Sequence, residues 1–287
     1  MVSRAVYLLW LFYLAAAAGT LLWLIPCQVG FCGEVGFLEQ IGAGTGLLIF
    51  AIMLMRWLYR EAPSLFRRPG LRELLGLPLW SVPISWCFAG AAFALLPRAE
   101  GNLDLPSGAG LGELLPLWVV IALVVPLAEE TLFRGWIFRA FRYNDGVRAS
   151  VWLSAWVFAL AHVLPAVVPY ALGAGLIWGR YMAKGGSLWT TIFAHAVGNS
   201  LPFVWIALGP SDKEGSRLAS EFTTEPTSAL ILLGLGILFT YLFFRRNPLP
   251  KDPTPLGTER SLPLLLTLIG LGLAFAFALI ETYDASF

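Results

Sequence analysis

The chain has 287 residues, of which 58% are hydrophobic and only 13% charged, with a mean hydropathy of +0.74 and a formal net charge of +1. Soluble domains carry about 25% charged residues, so this composition excludes a water-soluble globule, and its apolar character excludes a disordered chain. The near-neutral balance also leaves no basic face for nucleic acid.

A helix that crosses a bilayer needs about 20 mostly apolar residues. Nine segments qualify, at approximately 5–25, 37–55, 79–97, 114–140, 149–165, 166–183, 187–207, 228–244 and 262–280. The expected fold is therefore all-α, one polytopic transmembrane helix bundle of about nine spans over residues 1–287. The first segment is apolar over its whole length and lacks a clear small-residue cleavage site, so it reads as a retained span and not a signal peptide. After it, Cys27 and Cys32 share one short loop. They are either unrelated small residues or a loop disulfide, which needs an oxidising face. With Cys87 the chain has three cysteines, too few for a disulfide framework. The fifth and sixth segments meet at Leu164-Pro165-Ala166. Residues 245–261, with Asn247-Pro248-Leu249-Pro250, read as a cytoplasmic linker of polyproline character before the last span.

Loop charges orient the bundle, because cytoplasmic loops are enriched in Lys and Arg. With the N-terminus inside and nine crossings, sixteen of the 19 Lys and Arg fall on the inner side and only Arg98, Lys213 and Arg217 outside. Removing one early span inverts the later loops and destroys this asymmetry. The expected location is a multi-pass protein of the cell membrane with a cytoplasmic N-terminus and the Cys27–Cys32 loop outside.

Charge at membrane depth is costly and marks function by default. The fourth segment carries Glu129-Glu130-Thr131-Leu132-Phe133-Arg134, the fifth carries Phe158 and His162, and the seventh carries His195 and Asn199. Glu130 and Arg134 are four apart with Glu first, the favourable order for a helical ion pair. Glu129 is rotated by about 100° on the helix and faces elsewhere. A carboxylate with no arginine of its own, in an apolar site, suits acid–base work near neutral pH. His195 and Asn199 are also four apart, so both address one point, and their N–H groups suit a developing oxyanion. Phe158, one turn before His162, reads as packing. At about 1.5 Å of rise per residue, these groups converge between the inner half of the bilayer and its midplane. The bland alternative is a polar network that holds spans together.

Taken in order, Glu129-Glu130-x-x-x-Arg134 (EExxxR), Phe158-x-x-x-His162 (FxxxH) and His195-x-x-x-Asn199 (HxxxN) resemble the CPBP (ABI) family of type II CAAX prenyl endopeptidases and bacteriocin-processing or immunity proteins. The resemblance covers about residues 114–200, within a motif-bearing core at 114–207. It implies an intramembrane glutamate-type endopeptidase in which Glu129 with His162 activates a water. His195 and Asn199 would stabilise the tetrahedral oxyanion, and Glu130 and Arg134 would position helix and base. No cofactor is implied. The partners implied are the lipid bilayer and a peptide or membrane-protein substrate, lipidated in part of the family. The family core is usually described with eight spans, one fewer than counted here.

Three other readings compete. A zinc peptidase would use His162, His195 and a glutamate, since catalytic zinc has three protein ligands and an open position, although no HExxH helix is present. A non-catalytic immunity or adaptor protein could retain the motifs. A transporter could relay protons through Glu and His, yet the two halves show no pairing.

Overall fold

A computed structural model describes residues 2–27, 35–95, 111–162, 167–208, 226–251 and residue 270. All regular structure among them is helical. Helix α1 (Val2–Cys27) and helix α2 (Val35–Glu61) pack together. A short 3-10 turn (Pro63–Phe66) leads to α3 (Leu71–Leu95). A long helical stretch follows, composed of α4 (Leu111–Trp118), a π-helical segment (Val119–Val124), α5 (Val125–Glu130), a second π-helical segment (Thr131–Ile137) and α6 (Phe138–Leu160). Then come α7 (Val167–Ala183), α8 (Leu188–Leu208) and α9 (Pro226–Arg246). Pro78 and Pro83 lie inside α3 and Pro202 inside α8, a tolerance that membrane helices show because neighbouring groups satisfy the freed backbone.

Large apolar side chains face outward all round the bundle. Trp10, Met53, Leu79, Leu115, Leu230 and Ile237 are all exposed, the arrangement expected where the solvent is lipid. Ile41–Glu61, Leu71–Ala92, Leu114–Leu160 and Pro226–Arg246 are long and apolar enough to cross a membrane, and Tyr7–Gly19 is a shorter apolar helix. Against nine expected segments, four described stretches therefore qualify as spans. Part of the difference has a physical reason. The expected segment 114–140 and the part of 149–165 up to Leu160 lie within one helical stretch, Leu114–Leu160. At 47 residues it would be about 70 Å long if straight, against a hydrocarbon core of about 30 Å. It is not straight: Gly146, with φ 83° and ψ −179° inside α6, breaks it into two legs. Few residues other than glycine tolerate that backbone. Helix α7 has 17 residues, about 25 Å. The ninth segment apart from residue 270, the linker beyond residue 251, and the Cys27–Cys32 pairing lie outside the described residues. Cys87 is a free thiol.

The basic loops assigned to the inner side meet at one end of the bundle. Arg67 Nε donates to Gly185 O at 3.1 Å, and Ser187 Oγ donates to Arg67 O at 2.7 Å. Lys184 Nζ donates to Asn247 Oδ1 at 3.0 Å. Phe138 and Val147 pack with Leu65 and Leu249 in a small cluster at the same end. Gly185, at φ 80°, closes α7 there in the left-handed conformation.

Small residues let α7 approach α6. A Cβ on Gly175 would sit 3.0 Å from both Cα and Cβ of Ala155, the close approach that small-residue membrane interfaces use. Gly175→Val is expected to destabilise the detergent-solubilised protein by about 1–3 kcal/mol through overpacking. Gly234→Ala, where nothing lies within 4 Å, should leave the melting temperature nearly unchanged. Equal melting temperatures for Gly175→Val and the parent would contradict this packing.

Candidate active site

The paired glutamates sit in the six residues of α5, between the two π-helical segments. Pro126 lacks an N–H and its ring crowds the carbonyl one turn earlier. The six residues before α5 accordingly run as π-helix, with Val125 N–H bonded to Val120 O. On the other side, the Thr131 hydroxyl donates to Leu127 O at 2.6 Å, and the Thr131 N–H reaches the same carbonyl. The helix then widens again, and Phe138 N–H bonds to Phe133 O. Such π-helical insertions concentrate at functional sites.

Glu130 and Arg134 form the expected ion pair, with Arg134 Nη1 2.9 Å from Glu130 Oε1. The Glu130 side chain is 0% exposed and that of Arg134 is 1% exposed. His195, on α8, brings Nδ1 to 3.0 Å from the same Oε1. Its Nε2 faces the other carboxylate, 3.7 Å from Glu129 Oε2. That separation is beyond a hydrogen bond, and it is a contact between charges only when both ring nitrogens carry protons. Glu130 is thus held by a guanidinium and an imidazole. Glu129 has no hydrogen bond to Oε2 among the described residues, and its side chain is 12% exposed. Both carboxylates are buried and each leaves its Oε2 without a hydrogen bond among the described residues, but they differ in partners: Glu130 is held through Oε1 by Arg134 and His195, whereas Glu129 has only the longer approach to His195.

Phe158 lies at the centre of the cluster. It is buried, with Arg134 Cζ 4.1 Å from its ring centroid. Both imidazoles meet it edge-on, His162 at 4.9 Å and His195 at 5.8 Å between centroids. His162 also pairs its Nδ1 with Phe158 O at 2.8 Å. A carbonyl only accepts, so that nitrogen carries the proton and Nε2 of a neutral ring is left as an acceptor. Phe158 is packing, as expected, but it is the packing that sets three site residues around one ring.

Asn199 has one amide N–H engaged. Its Nδ2 donates to Ile121 O at 3.0 Å, a carbonyl in the first π-helical segment. Only one N–H of the amide is used there, and the other is available. The structure thus joins Glu129, Glu130, Arg134, His162 and His195 around Phe158, and ties Asn199, one turn from His195, to the helix that carries the glutamates. Among the described residues, no three His, Cys, Asp or Glu side chains come together as ligands for one metal ion.

Two residues of this cluster carry no sequence motif. Trp178 of α7 is 2% exposed and lies 4.8 Å from the His195 ring at 31°. Its ring is also 4.9 Å from Arg134 Cζ. The available signal was one large aromatic within Gly173-Ala174-Gly175-Leu176-Ile177-Trp178-Gly179, a helix otherwise able to approach its neighbours closely. Tyr13 of α1 donates its hydroxyl to Ala161 O at 2.6 Å, tethering the backbone immediately before His162.

Residues 111–201 match the family model described as Rce1-like, type II CAAX prenyl endopeptidase. The matched stretch begins at the first residue of α4 and contains EExxxR, FxxxH and HxxxN entire, over about a third of the chain. It supports the CPBP, or CAAX protease, family that the three motifs point to. No curated protein and no solved structure matches the chain.

Proposed function

Starting from a membrane chain whose motif-bearing third matches the Rce1-like family, we propose that this protein is an intramembrane endopeptidase that hydrolyses a peptide bond with a glutamate-activated water. The observation that carries the reading is the division of labour between neighbouring carboxylates. Glu130 is locked between Arg134 and His195, while the buried Glu129 has no arginine partner and only a 3.7 Å approach to His195.

In this mechanism Glu129, with His162 Nε2 as a second acceptor, takes a proton from water. The water oxygen attacks the scissile carbonyl carbon, and the C=O electrons move to the oxygen. His195 Nδ1 donates to Glu130, so His195 serves as an oxyanion donor through Nε2 only when both nitrogens are protonated. Glu129 lies 3.7 Å from that nitrogen and can pass it the proton. The free N–H of Asn199 supplies the second donor. Collapse of the intermediate breaks the C–N bond, and the proton passes to the leaving amine. Removing one oxyanion donor costs about 10²–10³ in turnover.

The substrate class is a peptide or membrane protein, reached from the cytoplasmic half of the bilayer. The meeting of the basic loops at one end of the bundle supports that orientation. No resident metal takes part. The test is full-length protein in lipid vesicles, offered lipidated and unlipidated peptides with and without chelator. Cleavage that persists in chelator is expected. Cleavage lost in chelator and restored by zinc overturns the reading, as does intact peptide throughout.

Trp178 is assigned a positioning role, holding the His195 ring and the Arg134 guanidinium. A cation–π contact of this kind contributes about 0.5–2 kcal/mol. Trp178→Leu is therefore expected to lower kcat about ten-fold with KM nearly unchanged, and Trp178→Phe to restore most of it. A change confined to KM would contradict the assignment.

A further inference from the structure

Two cavities lie end to end along the seam between α3 and α9, and Trp80 borders both. The first, about 320 Å³, opens at the basic end of the bundle and is lined by Arg67, Arg72, Glu73, Lys184 and Phe243 among others. The second, about 330 Å³, is lined by Leu79, Pro83, Ile84, Phe239 and Leu242, with Arg246 at its edge.

The charges of the first cavity do not balance. Glu73 is its one lining carboxylate among the described residues. Both oxygens of Glu73 are already taken by Arg67, at 2.9 and 2.8 Å. Arg67 is thereby neutralised, and Arg72 and Lys184 remain. Lys184 uses one donor on Asn247 Oδ1 at 3.0 Å and keeps two. Arg246 adds a third charge across Trp80, with its Cζ 5.6 Å from the ring centroid. A cationic chamber thus adjoins an apolar slot, and a tryptophan, the residue favoured at headgroup level, is the wall they share.

We propose that this seam binds one anionic phospholipid, its phosphate in the cavity of Arg72 and Lys184 and an acyl chain in the slot beside Leu242. The order of charges and apolar walls along the seam is the order of a phospholipid from headgroup to tail. Basic pockets between spans are suited to such headgroups. The proposal needs only the membrane setting and is independent of proteolysis at Glu129.

The test is native mass spectrometry of the full-length protein in detergent, titrated with phosphatidylglycerol, phosphatidylcholine of the same acyl chains, or inorganic phosphate. Phosphatidylglycerol should bind one per chain, at least ten-fold tighter than phosphatidylcholine. Arg72→Gln with Lys184→Gln should weaken it at least ten-fold, while Arg56→Gln with Arg60→Gln, an equal charge loss on α2, should not. Leu242→Trp, which fills the slot and keeps every charge, should also weaken it. Equal binding of the two lipids, equal loss in both double variants, or inorganic phosphate binding as tightly as the lipid would overturn the proposal.

Discussion

Glu129→Gln is expected to give a folded, membrane-inserted protein whose turnover is lower by about 10²–10⁴, the range that a positioned general base contributes. The amide keeps the size and a hydrogen-bonding oxygen of the carboxylate but cannot accept a proton from water. Glu129 is buried, but no ion pair with Arg134 is broken and its contact with His195 is long, at 3.7 Å, so the neutral amide leaves no partner charge stranded. Rate and stability should therefore separate: kcat falls while the melting temperature holds. The equivalent change at Glu130 should behave differently, since that carboxylate accepts from both Arg134 and His195. Glu130→Gln is expected to lower stability and activity together. Loss of stability in Glu129→Gln with turnover preserved would reverse the assignment of the two glutamates.

Arg134→Met should destabilise the protein by about 3–5 kcal/mol, the cost of leaving one member of a buried ion pair without its partner. Arg134 and Glu130 are both sealed from the surface, and the guanidinium also lies against Phe158 and Trp178. Methionine fills much of the volume but leaves the Glu130 carboxylate with His195 alone. A second substitution separates charge from packing. Arg134→Met combined with Glu130→Gln removes the orphaned charge and should recover most of the stability, because replacing both partners of a buried pair costs far less than breaking it. Chemical unfolding in detergent reads both variants. If the double variant is as unstable as the single one, packing and not charge is what Arg134 supplies.

Much of this site was legible because helical spacing is a strict ruler. Glu130 and Arg134 at i and i+4 form their pair, and His162 at i+4 from Phe158 meets both its ring and its carbonyl. The break between the fourth and fifth expected segments falls at Gly146, where apolarity lapses into Tyr143-Asn144-Asp145-Gly146. Spacing says which residues share a face but not which helix that face meets. His195 therefore emerges only from the fold as the imidazole in contact with both carboxylates, and Trp178, without a motif, as the residue stacked on it. The two π-helical segments were hidden for another reason. Pro126 and Thr131 each disturb a single carbonyl, and how the helix absorbs that depends on the neighbours it packs against. Hydropathy likewise marks apolar stretches without fixing crossings, since the legs on either side of Gly146 join in one helical stretch.

The most direct measurement is mass spectrometry of the products formed when the full-length protein in lipid vesicles meets a membrane-bound peptide. Wild-type protein should give a fragment pair whose masses sum to the substrate plus one water, and Glu129→Gln should leave the peptide intact. The same fragment pair formed at the same rate by Glu129→Gln would contradict a glutamate-activated water as the agent of cleavage.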